Sequence, residues 1–152
     1  MKITIIIRKD SDDITGEVIA SHNRIKGIIS SFPNTDVNLI VIREYMHPIL
    51  HWIRKSKTIK KEDTFTIENL HYNALWFKFS LLDNILLKLH KKTHFIWKQL
   101  DQFIDNIADS DIVIAHSLYA GYIALRTKEK YGIPYTVIDA KTQSFPPEMA
   151  SY

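Results

Sequence analysis

Few residues in this chain can carry chemistry. There is no cysteine, so thiolate catalysis and disulfides are excluded. No nucleophile elbow, P-loop or paired-cysteine pattern is present either. Attention falls on histidines and hydroxyls. His116 follows Ile112-Val113-Ile114-Ala115, an apolar run whose length and branching suit a strand buried on both faces. It therefore stands at a strand's carboxyl end, where a parallel sheet presents ligands, with a side chain that titrates near neutrality. Ser117 comes next, where a helix would start and a side-chain oxygen could cap it. From residues alone, a structural and a ligand-binding role for His116 are equally open.

Other candidates are weaker. His90 and His94 lie four apart on an expected helix, as do His47 and His51 in a basic stretch. Neither pair has an evident third ligand, and Lys91-Lys92 disfavours a cation, so no metal is expected. Asp10 to Thr15 (DSDDIT) is a polar loop between an apolar run and a helix that Gly16 begins. A strand, a loop and a helix start form a generic phosphate cradle, because the first helical N–H groups lack partners. One glycine and three aspartates argue against an anion, so a plain βα connection competes with a ligand loop.

The elements that must position these residues are mostly readable. Ile3 to Ile7 is a branched run expected to be a central strand. Val18, Ile19, His22, Ile25, Ile28 and Ile29 fall near one helical face. Ser31 to Asp36 is a turn, Val37 to Ile42 a second strand, and Thr64 to Ile67 a third with Asn69 to Asn73 as its exit. Leu75 to Ile107 reads as helical, in two pieces meeting near Lys91-Lys92-Thr93. Leu81, Leu82, Ile85, Leu86 and Leu89 mark one face of the first piece; Ile96, Leu100, Phe103 and Ile107 mark the second. After His116, Leu118, Tyr122 and Leu125 recur at helical spacing, Lys128 and Lys130 fall in the last turn, and Gly132 stops the helix before Pro134. Tyr135 to Ile138 is the next strand. The chain of 152 residues, 45% hydrophobic, is expected to form a single α/β domain over 1–152. Its sheet should be Rossmann-like and mostly parallel, with strands near 2–8, 37–42, 111–115 and 135–139 and helices on both faces.

The stretch from Asp111 to Phe145 resembles the amino-terminal domain of GT-B-fold retaining glycosyltransferases, the large family that includes lipopolysaccharide and capsule enzymes. The matching residues are Asp111 to His116, Gly121, Gly132-Ile133-Pro134-Tyr135 and Ser144-Phe145. Where that family often has Thr-Glu-His, this chain has Ile138-Asp139-Ala140. The resemblance implies one half of a GT-B fold, shaping the acceptor side of a nucleotide-sugar-dependent hexosyl transfer in polysaccharide or lipid-linked glycan synthesis. It implies that His116 faces the transferred sugar or its phosphate, and that Thr15, Gly16, Ser117 and Asp139 border the same cleft. No cofactor is expected in this half, because the nucleotide-sugar would bind mainly to a carboxyl-terminal domain. The sequence reaches Ser151-Tyr152 without room for that domain, so a separate donor-binding domain or protein is the expected partner, and this chain alone is expected to be inactive. A non-catalytic Rossmann-like binding domain is the alternative.

Charge is unevenly distributed. Residues 43–63 carry six basic side chains (Arg43, Arg54, Lys55, Lys57, Lys60, Lys61) against three acidic ones (Glu44, Glu62, Asp63), which accounts for the whole excess of +3. Met46, Ile49, Leu50 and Ile53 are spaced as one helical face, with Trp52 beside them. Such a basic amphipathic stretch suits an anionic membrane surface, with Trp52, Arg54 and Lys55 facing it; a helix packed on the sheet with solvated lysines is the favoured reading, because such helices are ordinary packing elements. No apolar stretch approaches the length of a spanning helix, and the amino terminus lacks a signal-peptide core. The expected location is cytoplasmic, at the inner membrane face if that segment docks. A glycan or lipid-linked acceptor is an expected partner; nucleic acid is not.

Overall fold

Ile5, Ile6 and Ile7 are at most 1% exposed, a run that only a central strand can bury on both sides. The structure, a computed structural model, describes residues 1–9, 16–46, 49, 52, 61–89 and 94–138. Its six-stranded sheet has the order β3-β4-β2-β1-β5-β6. The strands are β1 (Lys2–Arg8), β2 (Asp36–Met46), β3 (Thr64–Ile67), β4 (Leu70–Phe79), β5 (Ile112–His116) and β6 (Tyr135–Ile138). All neighbours are parallel except β3, which pairs antiparallel with β4 at one edge. The helices are α1 (Gly16–Ser31), α2 (Leu81–Lys88), α3 (His94–Asp101) and α4 (Leu118–Tyr131), with a 3₁₀ turn at Ile104–Ile107.

The sheet has a core on each face. Ile3, Ile5 and Ile7 pack with Leu39, Val41 and Tyr72 under Val18 and Ile25 of α1. Ile6, Ile42, Phe77 and Val113 pack under Ile96 and Leu100 of α3 and Ile123 of α4. On α4, Tyr122 Oη donates to Asp101 Oδ1 at 2.9 Å, fastening the helix to α3. The α/β, mostly parallel, Rossmann-like reading with helices on both faces therefore holds.

One expected element is wrong. Residues 70–79, read as a loop exit running into a helix, form the ten-residue strand β4. Tyr72, Ala74 and Trp76 alternate with Leu75 and Phe77, and pairing with β2 on one side and β3 on the other satisfies the backbone. The tight turn at Glu68-Asn69, with Glu68 at φ 51°, makes the hairpin. A linked set ties α1 to this hairpin: His22 Nδ1 and Tyr72 Oη are 3.2 Å apart, and Lys26 pairs with Glu68. Lys26 holds the Glu68 carboxyl below its ordinary range.

The seam between β1 and β5 is clipped by polar contacts at its amino end. Lys2 N donates to Asp111 Oδ2 at 2.6 Å, Lys2 Nζ pairs with Asp109 at 2.5 Å, and Asp111 N donates to the Lys2 carbonyl at 2.9 Å. Inside the sheet, the buried Thr4 hydroxyl lies 2.6 Å from Ser110 Oγ.

Gly132 caps α4 at φ 74°, donating to the Lys128 carbonyl at 2.8 Å, whereas nothing lies within 4 Å of a Cβ built on Gly27. Gly132→Ala should cost about 1 kcal/mol and Gly27→Ala should gain about 0.5–1 kcal/mol. Urea midpoints at unchanged m-value measure both; a shift of the same sign in the two variants contradicts the conformations assigned to them.

Candidate functional site

In a parallel sheet, ligands gather where neighbouring strands send their connections to opposite faces, because the loops diverge and leave a crevice at the carboxyl ends. Here that point lies between β1 and β5. From β1 the chain passes through α1 on one face to β2, and from β5 through α4 on the other face to β6. The groups at the crevice are Arg8 and Lys9 from β1, and His116 and Ser117 from β5.

His116 is the last residue of β5, only 5% exposed, on the face that α1 covers. Among the described residues, its Nε2 is buried with no hydrogen-bond partner. Burial first, and the positive charge of Arg24 second, hold its pKa below the ordinary histidine value. The site therefore offers a neutral imidazole able to donate or accept one hydrogen bond, according to tautomer. Ser117 sits at φ 103°, ψ 166°, a region that residues with a Cβ rarely occupy, at a cost of about 1–3 kcal/mol. The expected side-chain cap is not made. Instead the Ser117 carbonyl accepts from Gly121 N at 2.9 Å, and its buried Oγ has no partner among the described residues. Two adjacent residues thus have buried polar atoms with no partner among the described residues, the kind of exception that calls for an explanation.

Two buried cations lie toward the β3 edge of the same sheet. Lys9 and Arg43 are each 2% exposed. The Lys9 ammonium lies 3.8 Å from the Phe65 ring centre, and the Arg43 guanidinium lies 5.0 Å from Trp76 and 5.3 Å from Phe65. Aromatic faces partly replace the water these cations have lost. On the opposite face, Arg8 pairs with Glu44 at 3.5 Å and lies 4.4 Å from the Tyr119 ring.

The site residues read from sequence are only partly gathered here. His116 and Ser117 stand together at the crevice, and Gly16 begins α1. Thr15, Asp139, Arg54 and Lys55 lie outside the described residues, as do His47, His51 and His90. Trp52 is 82% exposed. Sequence reading missed Lys9 and Arg43. Arg43 was counted with the basic surface stretch, but β2 runs on to Met46 and carries it inside the protein. The usable signal was its place near the carboxyl end of a strand, next to an aromatic-rich segment. Among the described residues no group of His, Asp or Glu is arranged to hold a metal, and no helix is long and apolar enough to cross a membrane.

No protein-family model and no curated protein matches the chain. Among solved structures, the C-terminal domain of a hydrogenase from Pyrococcus furiosus is similar at a TM-score of 0.49 and 14% identity, over 90% of this chain and 89% of that one. At that level no property of the hydrogenase transfers.

Two outcomes test the site. Ser117→Gly should raise stability by about 1 kcal/mol, because it relieves the backbone strain. A Gly variant that is no more stable contradicts the strained conformation. The stability that His116 contributes is fully present above about pH 6.5, the unfolded value, and is lost as pH falls through the lower folded value, because the unfolded chain then binds the extra proton. Urea midpoints across this window should fall less steeply for His116→Gln than for the parent; parallel curves rule out a depressed His116.

Proposed function

We propose that this domain supplies the acceptor side of a nucleotide-sugar-dependent sugar transfer, in polysaccharide or lipid-linked glycan synthesis. The observation that carries the reading is His116: a neutral, buried imidazole whose Nε2 has no partner among the described residues, at the end of β5 and at the crevice of a Rossmann-like sheet. The motif from Asp111 to Tyr135 that suggests a GT-B glycosyltransferase surrounds that residue. In this reading His116 contacts a sugar hydroxyl or phosphate oxygen and Ser117 Oγ makes a second contact. Thr15, Gly16 and Asp139 are the further acceptor contacts that the family resemblance implies. The leaving nucleotide diphosphate would be stabilised mainly by a donor-binding domain or protein, through positive charge and helix N-termini.

The test is an assay with a panel of nucleotide sugars and glycan or lipid-linked acceptors, with and without a donor-binding domain supplied in trans. Transfer should require the donor-binding partner, and His116→Ala should lower it on the order of 10²-fold, the scale of losing one preorganised contact to developing charge. Robust turnover by the chain alone, or turnover indifferent to His116→Ala, refutes the proposal. A stable complex with the partner and no transfer would favour a binding domain instead.

A further inference from the structure

Two contacts fix how α1 is rotated on the sheet. His22 and Lys26, one turn apart, reach Tyr72 of β4 and Glu68 of the β3–β4 turn, so this flank of the helix lies toward β4. In the sheet order, β4 and β5 stand on opposite sides of the β2–β1 pair. The other flank of α1 therefore lies toward β5. Arg24 belongs to it, about 160° around the helix axis from both His22 and Lys26 at 100° per residue. Ile28, one turn further along the same flank, joins the core that Ile112 and Ile114 of β5 also join.

Helical side chains lean back toward the amino terminus of their own helix. Because α1 links the parallel strands β1 and β2, it runs against them, and its amino terminus lies at their carboxyl ends. Arg24 thus leans toward the end of the sheet where His116 faces α1. After burial, its charge is the second influence that keeps the His116 pKa low. Elsewhere on the described surface Lys2, Lys26, Arg126 and Lys130 each have a carboxylate partner. Arg24 is exposed and has no hydrogen bond or ion pair among the described residues. Near it stand the His116 Nε2 and the Ser117 Oγ, both buried with no partner among those residues. A guanidinium, a neutral imidazole and a hydroxyl can all donate, and an oxyanion accepts from all three.

We infer that Arg24 makes the crevice selective for a sugar bearing an oxyanion, a phosphate or a carboxylate, over a neutral sugar. The guanidinium meets the anionic group, and His116 and Ser117 hold the same molecule from the sheet side. The inference rests on the acceptor-side reading of the crevice, but it concerns binding, which needs neither a donor-binding domain nor transfer.

Calorimetric titration of the full chain with glucose 1-phosphate, glucuronate and glucose tests it, with the His116 imidazole followed by NMR. At least one anionic sugar should bind about tenfold or more tightly than glucose, and the tighter of the two identifies the oxyanion. Arg24→Gln should remove that advantage, a loss of at least about tenfold, the scale of one charge-assisted hydrogen bond. Lys128→Gln, in the last turn of α4, should leave it intact. Circular dichroism should be unchanged in both variants. In the parent, the bound anion should raise the His116 titration midpoint, because it offsets the nearby positive charge. Equal binding of all three sugars, no binding of any, or an Arg24→Gln variant that binds like the parent would each overturn the inference. Transfer to neutral acceptors alone would overturn it and leave the acceptor-side reading standing. Selective binding of an anionic sugar without transfer in any mixture would do the reverse.

Discussion

The architecture depends on one strand that cannot meet water. With Ile5, Ile6 and Ile7 buried on both faces, β1 needs a neighbour on each side and a helical layer above and below. Parallel neighbours require crossovers, and with β1 in the middle the crossovers must go to opposite faces. The crevice at the carboxyl ends of β1 and β5 follows from that arrangement. Thr4 is the polar exception inside the strand, and Ser110 satisfies its hydroxyl.

The same constraint sorts the charges. Arg8 and Lys9 are the first ionic residues after the buried isoleucine run, and alternation sends them to opposite faces. Arg8 finds Glu44 and Tyr119; Lys9 and Arg43 share the ring of Phe65. Removing cations from water is costly, so burying Lys9 and Arg43 against aromatic rings is a feature the fold sustains at some expense. Strain at Ser117 adds to that expense.

Much of this fold was legible because strands and helices buried in a parallel sheet write long, one-sided signals. The Ile3–Ile7 run, the β5-α4-β6 unit and the Gly132 stop were of that kind. β4 was not, because Leu75, Trp76 and Phe77 are apolar in succession, and a short apolar run fits helix and strand equally until its partners are known. The outward edge at α2, where Leu82, Ile85 and Leu89 are exposed, was hidden for a related reason: five leucines and isoleucines at helical spacing say that a face exists, not how much of it the core can cover. At the site, His116 was visible as a strand-end residue. Lys9 and Arg43 were not, because their burial depends on how far β2 extends and on aromatic rings contributed by β3 and β4.

The polar clip at the amino end of the β1–β5 seam bears on chain connectivity. Lys2 and Asp111 are 109 positions apart, so pairing these strands closes the longest loop in the described sheet, whereas the β3–β4 hairpin needs only a two-residue turn. Contacts that join such distant residues carry the larger entropic cost, and here three of them are concentrated at one end. They make the seam a one-ended clasp: side-chain polar contacts fasten its amino end, while toward His116 the two strands are joined by the backbone ladder alone among the contacts described.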